Sequence, residues 1–284
     1  MPSRFGTFVG LGAVLLLGAC TRRAVVAAPG AASRLPPPTN LVKQANAPIS
    51  NVFQLRFQNA YVPRFTGAHG EGNVATVAVT MPVPAYRLLP VPQLSLLTTP
   101  VAVTAPDGTT GFGDVRFVDI GLLEARPRVL VGAGPVLVFP SATRQSAGQG
   151  KWQIGPAAAV AYSPARWLLG ALVQNPVSVA GDRERKHTSA LFLQPFATFQ
   201  LGNGWFARSQ PQIAFSWRTR KAVVPIDLGF GRVFRIAGRN VSCFVEPFWN
   251  ASTDGPTPTY GVLFGFSLLY PEFWSRSATS ARSS

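Results

Sequence analysis

Histidine and serine are the first side chains to weigh for chemistry, because His69 and His187 are the only two histidines in the chain. His187 follows the charge run 182–186 and lies two residues before Ser189. Residues i and i+2 share one face of a strand, so this pair could form the base and nucleophile of a membrane-embedded hydrolase. A hydrolase also needs an orienting acid and an oxyanion hole, and neither is visible. We therefore interpret the run as a solvated loop and expect no enzymatic activity.

Metal and phosphate sites are not predicted either. The sequence contains no CxxC, no HExxH and no paired histidines at metal-ligand spacing, so neither a metal nor a cofactor is expected. Two glycine-rich segments, 111–114 and 229–231, are not followed by a helix that could hold a phosphate. Their glycines are expected to permit bulges or close packing, and Cys243 is expected to be a small wall residue.

Composition argues for a membrane environment. Hydrophobic residues make up 47% of the chain and charged residues only 13%, about half of the ~25% found in soluble domains. The formal net charge is +15. A basic balance can indicate nucleic-acid binding, but here the positive charges are scattered and lie on no predicted basic helix, so nucleic acid is not an expected partner.

The N-terminus predicts export. Residues 1–19 have the short basic start and the apolar run of a signal peptide. The run ends in Leu17-Gly18-Ala19-Cys20, which resembles the lipobox of bacterial lipoproteins, so lipidation of Cys20 is predicted. The alternative is an ordinary signal peptide cut near Ala27 or Ala28. Residues 20–50 are rich in alanine and proline and are predicted to be a flexible tether.

The main body, residues 51–270, alternates apolar and polar side chains at the two-residue period of a strand. No later run reaches the roughly 18 apolar residues of a membrane helix. Strands of about ten residues match the length that a tilted transmembrane strand needs. Twelve runs are predicted, at about 52–64, 74–83, 86–97, 113–123, 128–139, 152–162, 166–176, 189–199, 205–216, 222–236, 241–250 and 259–269.

The connections between these runs are alternately tight and long, which is typical of outer-membrane barrels. Because an open sheet edge is not tolerated in hydrocarbon, the first and last strands should pair. The sequence thus predicts an all-β fold: an antiparallel, transmembrane, up-and-down β-barrel of about twelve strands. Both termini would be periplasmic, and residues 271–284 would form a polar tail. The strand prolines imply bulges; they are Pro82, Pro84, Pro90, Pro92, Pro195, Pro211 and Pro225.

Five segments carry a family resemblance: 132–143, 148–159, 167–182, 193–206 and 224–241. Their order and spacing resemble a family of outer-membrane β-barrel transporters grouped as "MetA pathway of phenol degradation", whose members are often labelled neuromedin U-like. The resemblance implies a barrel that imports small apolar or aromatic compounds, inserted by the barrel-assembly machinery. It implies no catalytic residue.

Charged and polar side chains on the inward parity are the candidate lumen residues, and arginines among them would favour anions. Basic residues in the loops could hold the phosphates of lipopolysaccharide. The lumen candidates are Arg56, Gln194, Thr198, Arg208, Gln210, Gln212, Asp227, Arg232 and Glu246, with Phe192 and Phe196 as apolar contacts. The lipopolysaccharide candidates are Arg183, Arg185, Lys186, Arg218, Arg220 and Lys221.

The predicted function is passive uptake of small solutes, which could be apolar, aromatic or anionic, across the bacterial outer membrane. Twelve strands predict a narrow or partly plugged lumen, with the tether as a candidate plug. Three alternatives stay open: a non-conducting structural or lipopolysaccharide-binding outer-membrane lipoprotein, a periplasmic β-sandwich lipoprotein, and the hydrolase.

Overall fold

A computed structural model describes residues 40–86, 90–126, 128–252 and 257–271. The predicted signal peptide, Cys20, most of the tether and nearly all of the C-terminal tail lie outside these residues, so their assignments stay predictions. Within the described ranges no helix is long and apolar enough to cross a bilayer.

The described chain folds into one short helix and seventeen strands. They are α1 (Leu41–Asn46), β1 (Phe53–Thr66), β2 (Gly72–Val83), β3 (Gln93–Thr104), β4 (Thr110–Gly111), β5 (Val115–Arg126), β6 (Val129–Phe139), β7 (Lys151–Tyr162), β8 (Trp167–Gln174), β9 (Val177–Gly181), β10 (Ala190–Gly202), β11 (Trp205–Ser209), β12 (Ile213–Ser216), β13 (Lys221–Val223), β14 (Pro225–Asp227), β15 (Gly229–Ile236), β16 (Arg239–Asn250) and β17 (Thr257–Tyr270).

These strands form a closed antiparallel barrel with twelve wall positions, which confirms the predicted fold class. Three positions are interrupted strands: β8 with β9, β11 with β12, and β13 with β14 and β15. The short β4 pairs with β3 alone and adds no position. β1 and β17 pair from Phe53↔Tyr270 to Thr66↔Thr257 and close the ring, so every wall strand has two neighbours.

The alternation in sequence becomes two faces of the wall. Phe264 on β17 and Phe230 on β15 are 49% and 51% exposed on the outside, although both are fully apolar. Such exposure is costly in water and favourable against lipid tails. Exposed aromatic residues also lie near both ends of the strands, as expected for interfacial girdles; they are Trp152, Trp249 and Tyr260 at one end and Tyr162, Trp167 and Trp205 at the other.

The two ends of the barrel differ. At the tight-turn end, connections such as 203–204 and 237–238 are two residues long, and β1 begins and β17 ends there. At the long-loop end, the connections include 140–150 and 182–189.

Prolines account for the main differences between predicted and observed strands. The run 86–97 was expected to be a strand after a tight turn at 84–85, but the strand is β3, Gln93–Thr104. Pro90 and Pro92 cannot donate to a ladder, so pairing starts only after them. Likewise Pro176 lies between β8 and β9, and Pro211 between β11 and β12. Predicted single strands are therefore interrupted at these positions.

Ring closure predicts a specific cross-link. Phe57 on β1 and Phe266 on β17 are register partners whose ring centroids lie 4.8 Å apart. We expect Phe57→Cys with Phe266→Cys to oxidise to an intramolecular disulfide, seen as a reducible mobility shift of the denatured chain on a gel. Cys243 is replaced by serine throughout, because it pairs with Phe266 from β16.

The register control for this cross-link is Phe57→Cys with Phe264→Cys, since Phe264 pairs with Asn59 instead. Equal oxidation of both double variants, or of neither, would contradict the closed register.

Candidate functional site

Residues 40–52, hereafter the plug, lie inside the barrel. The helix α1 contacts β10, β11, β15 and β17, which a segment outside the ring could not reach together. Ala45 is only 2% exposed, and Asn46 and Val52 are also buried. The predicted flexible tether is therefore wrong for residues 40–50, which form an ordered part of the lumen.

The plug is fixed at the tight-turn end by polar contacts. The Asn40 side chain caps α1 by accepting hydrogen bonds from the Val42 and Lys43 amides, and it donates to Gln200 Oε1 at 3.0 Å. Lys43 Nζ donates to the Ala165 carbonyl at 2.7 Å. Burial, followed by repulsion from Arg128, lowers the pKa of the Lys43 amine. Such short-range contacts hold the start of the plug against the rim.

Deeper in the lumen, wall side chains donate to the C-terminal carbonyls of the plug. Arg56 Nη2 on β1 lies 3.0 Å from the Ala45 carbonyl oxygen and 3.4 Å from that of Ala47. Gln210 Nε2 donates to the Asn46 carbonyl, and Arg208 Nη1 lies 3.3 Å from Asn46 Oδ1. The last carbonyls of a helix have no partner within it, so these donors satisfy groups that would otherwise be buried unpaired.

A buried ion pair supports this contact region. Arg208 Nε and Glu246 Oε2 are 2.8 Å apart, and both side chains are 2% exposed. The Arg208 guanidinium also lies 4.0 Å from the centroid of the Phe244 ring. Gly229 lies on β15, between β11 with Arg208 and β16 with Glu246. A Cβ at Gly229 would be 2.8 Å from the Cβ of Glu246. The missing side chain of Gly229 therefore leaves the space through which the pair forms.

Between β11 and β12, carboxylates accept the backbone hydrogen bond that a neighbouring strand would accept in an unbroken ladder. Gln210, just before Pro211, has no strand partner, and its amide donates to Asp227 Oδ1 at 2.8 Å and Glu246 Oε1 at 3.2 Å. An unpaired amide would be costly in a membrane-embedded wall. The side chain of Gln210 thus binds the plug, while its backbone amide binds the wall.

The opposite side of the lumen is apolar. Ile49 of the plug packs in one buried cluster with Leu94, Ile120 and Leu172 from β3, β5 and β8. Ala47 packs with Leu168 and Phe196. Burying one isoleucine side chain stabilises by about 2 kcal/mol relative to water, so Ile49 contributes substantially to docking of the plug. The lumen therefore has a basic, polar side and an apolar side, and the plug contacts both.

The sequence-predicted lumen residues are only partly brought together. Arg56, Arg208 and Gln210 contact the plug directly. Glu246 forms the ion pair with Arg208, and Asp227 accepts a hydrogen bond from the Gln210 amide. Thr198 and Phe196 are buried on β10, Gln194 is half-buried nearby, and Gln212 is exposed.

Arg232 was predicted to face the lumen, and this is wrong. It is exposed, and its guanidinium lies 5.3 Å from the ring centroid of the exposed Trp205. Arg232 shares the outward parity of Phe230, and near the tight-turn end its long side chain can reach the membrane interface.

Sequence reasoning also missed lumen residues. Arg116 on β5 lies 4.4 Å from the centroid of the Phe192 ring on β10, although these strands are not neighbours. The inward parity that Arg116 shares with Val118 and Ile120 could have identified it. Lys43 and Asn46 carried no such signal, because the plug has no strand pattern.

The loop arginines differ in availability. Arg185 donates to the carbonyls of Gln145, Gly148 and Gln149 and so connects loop 140–150 to loop 182–189. Arg218 donates to the His187 carbonyl at 3.3 Å. Within the described part of the chain, the remaining lipopolysaccharide candidates form no side-chain hydrogen bond or ion pair; these are Arg183, Lys186, Arg220 and Lys221.

His187 does not pair with Ser189, the partner that a hydrolase would have required. His187 Nδ1 lies 3.2 Å from the hydroxyl of Ser178, which accepts a hydrogen bond from the Thr188 amide. No carboxylate is hydrogen-bonded to His187 among the residues that the structure describes. Nor do the described residues contain a group of three or more histidine, cysteine or acidic side chains able to hold a metal.

Two solved outer-membrane channels have a similar fold. The COG4313 outer membrane channel from Pseudomonas putida F1 is 13% identical, with a TM-score of 0.55, over 86% of this chain and 99% of that one. The NanC porin is 8% identical, with a TM-score of 0.51, over 77% of this chain and 98% of that one. No family model and no curated protein matches. The resemblance to the phenol-degradation family therefore stays a prediction.

The buried ion pair predicts an asymmetric stability effect. Glu246→Leu should remove the ion-pair partner of Arg208 and lower the free energy of unfolding by about 3–5 kcal/mol. Arg208→Met combined with Glu246→Leu should recover much of this loss, because neither member of the pair is then left buried without the other. Urea unfolding in lipid vesicles, followed by tryptophan fluorescence, measures both.

The control for the ion-pair prediction is Glu124→Gln, which breaks the solvent-exposed pair with Arg126. It should leave stability nearly unchanged. A double variant as unstable as Glu246→Leu alone would contradict the assignment.

Proposed function

We propose that this protein is an outer-membrane channel for passive passage of small solutes, closed at rest by its own residues 40–52. One observation carries the proposal: a closed transmembrane ring encloses charged residues and a separate chain segment, instead of a lumen filled by wall side chains alone. A barrel that serves only as an anchor needs no such segment. The channel fold of the solved neighbours supports this proposal.

In the proposed orientation, the long loops face outward and the tight turns, with both termini, face the periplasm. This arrangement matches the general asymmetry of outer-membrane barrels. It would put Arg183, Lys186, Arg220 and Lys221 at the height of lipopolysaccharide phosphates, where exposed guanidinium and ammonium groups bind well. Cys20, if lipidated, would then anchor the chain to the periplasmic leaflet.

The solute would meet a two-sided lumen. Apolar side chains from β3, β5 and β8 line one side, and Arg56 and Arg208 lie on the other. A solute therefore needs an apolar part or an anionic part to displace the contacts of the plug. Passage would be by diffusion, with no energy-coupling motif and no catalysis. The alternative, a non-conducting structural protein, is favoured by the tight burial of Ala45 and Asn46.

Weakening the plug should open the channel. Ile49→Asn places an amide against the apolar wall. The variant loses the burial of the isoleucine side chain, worth about 2 kcal/mol, and must also desolvate the asparagine amide. We expect the native protein in planar bilayers to conduct rarely and Ile49→Asn to conduct for a much larger fraction of time. Heat-modifiable gel mobility checks that the barrel itself is intact.

Ile49→Val is the matched control, because valine keeps the apolar contact, and it should behave like the native chain. If Ile49→Asn forms a heat-modifiable barrel but shows neither conductance nor solute flux, the protein is the non-conducting alternative and the channel proposal is wrong.

A further inference from the structure

The donors that hold the plug also form a binding site. We infer that Arg56, Gln210 and Thr198 bind the carboxylate of a transported solute, that the plug carbonyls occupy this site at rest, and that the solute is a small carboxylate with a compact apolar body. This inference rests on the proposed channel function and specifies its substrate class.

Arg56 is a buried cation without an acidic partner. Its donors go to the Ala45 and Ala47 carbonyls and to Gln54 Oε1, all neutral acceptors. Among the described residues no carboxylate lies within 4.0 Å of it. A buried guanidinium is stabilised much more by an anion than by neutral oxygens. The plug therefore satisfies hydrogen bonds of Arg56 but leaves the guanidinium without a carboxylate in direct contact.

The other charges of this region balance one another. Arg208 is paired with Glu246, and Asp227 lies beside them, capping the same Gln210 amide. Glu246 is at ion-pair distance from Arg208 and acts on Arg56 only from farther away. Arg56 is thus the group on this side of the lumen that an incoming anion would complement.

Thr198 provides an independent sign of a missing ligand. Its side chain is 1% exposed, and its hydroxyl has no hydrogen-bond partner in the structure. Buried hydroxyls are usually paired, so an orphan inside a lumen indicates an acceptor or donor that is not always present. Its register partner on β11 is Arg208, on the polar side of the lumen.

Thr198 also lies at the border between the polar and the apolar side of the lumen. Its register partner on β8 is Leu168, and Phe196 lies two residues away on the same face of β10. Ala47, whose carbonyl accepts from Arg56, packs against both Leu168 and Phe196. A ligand that replaced Ala47 would therefore present an oxygen to Arg56 and an apolar body to Phe196.

A carboxylate is better suited to this exchange than a neutral group. It can accept two parallel hydrogen bonds from one guanidinium, and such charge-assisted bonds are roughly twice as strong as neutral ones. Its binding would replace the Ala45 and Ala47 carbonyls and expose the plug. Inorganic phosphate has the charge but no apolar body, so it should compete less well.

Exposure of position 45 measures this exchange directly. The full chain carries Ala45→Cys and Cys243→Ser, is reconstituted in vesicles, and reacts with a membrane-impermeant maleimide. Cyclohexanecarboxylate should raise the labelling rate about tenfold, equivalent to about 1.4 kcal/mol of competition. The isosteric cyclohexanecarboxamide should leave the rate unchanged. Equal effects of the acid and the amide would overturn the inference, and so would a phosphate effect as large as that of the acid.

Arginine variants assign the effect to its site. Arg56→Met should label quickly even without the acid and respond little to it, whereas Arg232→Met, which removes an arginine from the outer surface, should respond like the parent. If Arg56→Met does not form a heat-modifiable barrel, Arg56→Lys replaces it and should show a weakened response. A full response in the Arg56 variant would overturn the assignment.

The two proposals fail separately. If Ile49→Asn conducts but the acid does not change the labelling of the Ala45→Cys variant, the channel proposal stands and the carboxylate site is wrong. An acid effect in a protein whose Ile49→Asn variant never conducts keeps the binding site and removes the channel.

Discussion

Every backbone amide and carbonyl in a bilayer must find its partner within the protein, and this requirement determines the architecture. It forces the first and last strands together, as the β1–β17 ladder shows. The same requirement acts where the ladder fails: the Gln210 amide, beside Pro211, is capped by Asp227 and Glu246. Two acids are thereby held inside a wall that would otherwise exclude them. Their presence makes the buried pair with Arg208 possible, since an uncompensated guanidinium there would be costly.

A closed ring has an inner surface that no lipid can cover, and the chain covers part of it with its own N-terminal segment. The two sides of the lumen hold this segment by different means. On the polar side, Arg56 and Gln210 satisfy the carbonyls at the end of α1. On the apolar side, Ile49 removes hydrocarbon surface from water. In the proposed channel, each contribution would be small compared with the energy of the barrel, so that the plug could leave while the wall stays folded.

The sequence predicted the wall better than its contents. The alternation over Tyr260–Leu268 was enough to identify the outward face, because the two-residue period of a strand can be read from neighbouring residues alone. Arg232 was misplaced because its charge was weighed above its parity with Phe230, although an arginine near the membrane interface can reach polar surroundings. The strand predicted at 86–97 began too early because Pro90 and Pro92 have no amide hydrogen to donate to a ladder. The sequence indicated the tether as a candidate plug but not which of its residues enter the lumen or what they contact. Asn46 contacts Arg208 across 162 residues of sequence, and nothing local to either residue indicates that contact.

The central claim is that residues 40–52 lie within the barrel, against its apolar side, and a photo-cross-link tests this most directly. With p-benzoylphenylalanine at position 49 of the full chain in membranes, irradiation should join the plug to wall peptides that contain Leu94, Ile120 or Leu172, identified by mass spectrometry. Cross-links only to lipid, to other proteins or to the outer face of the strands would contradict the account.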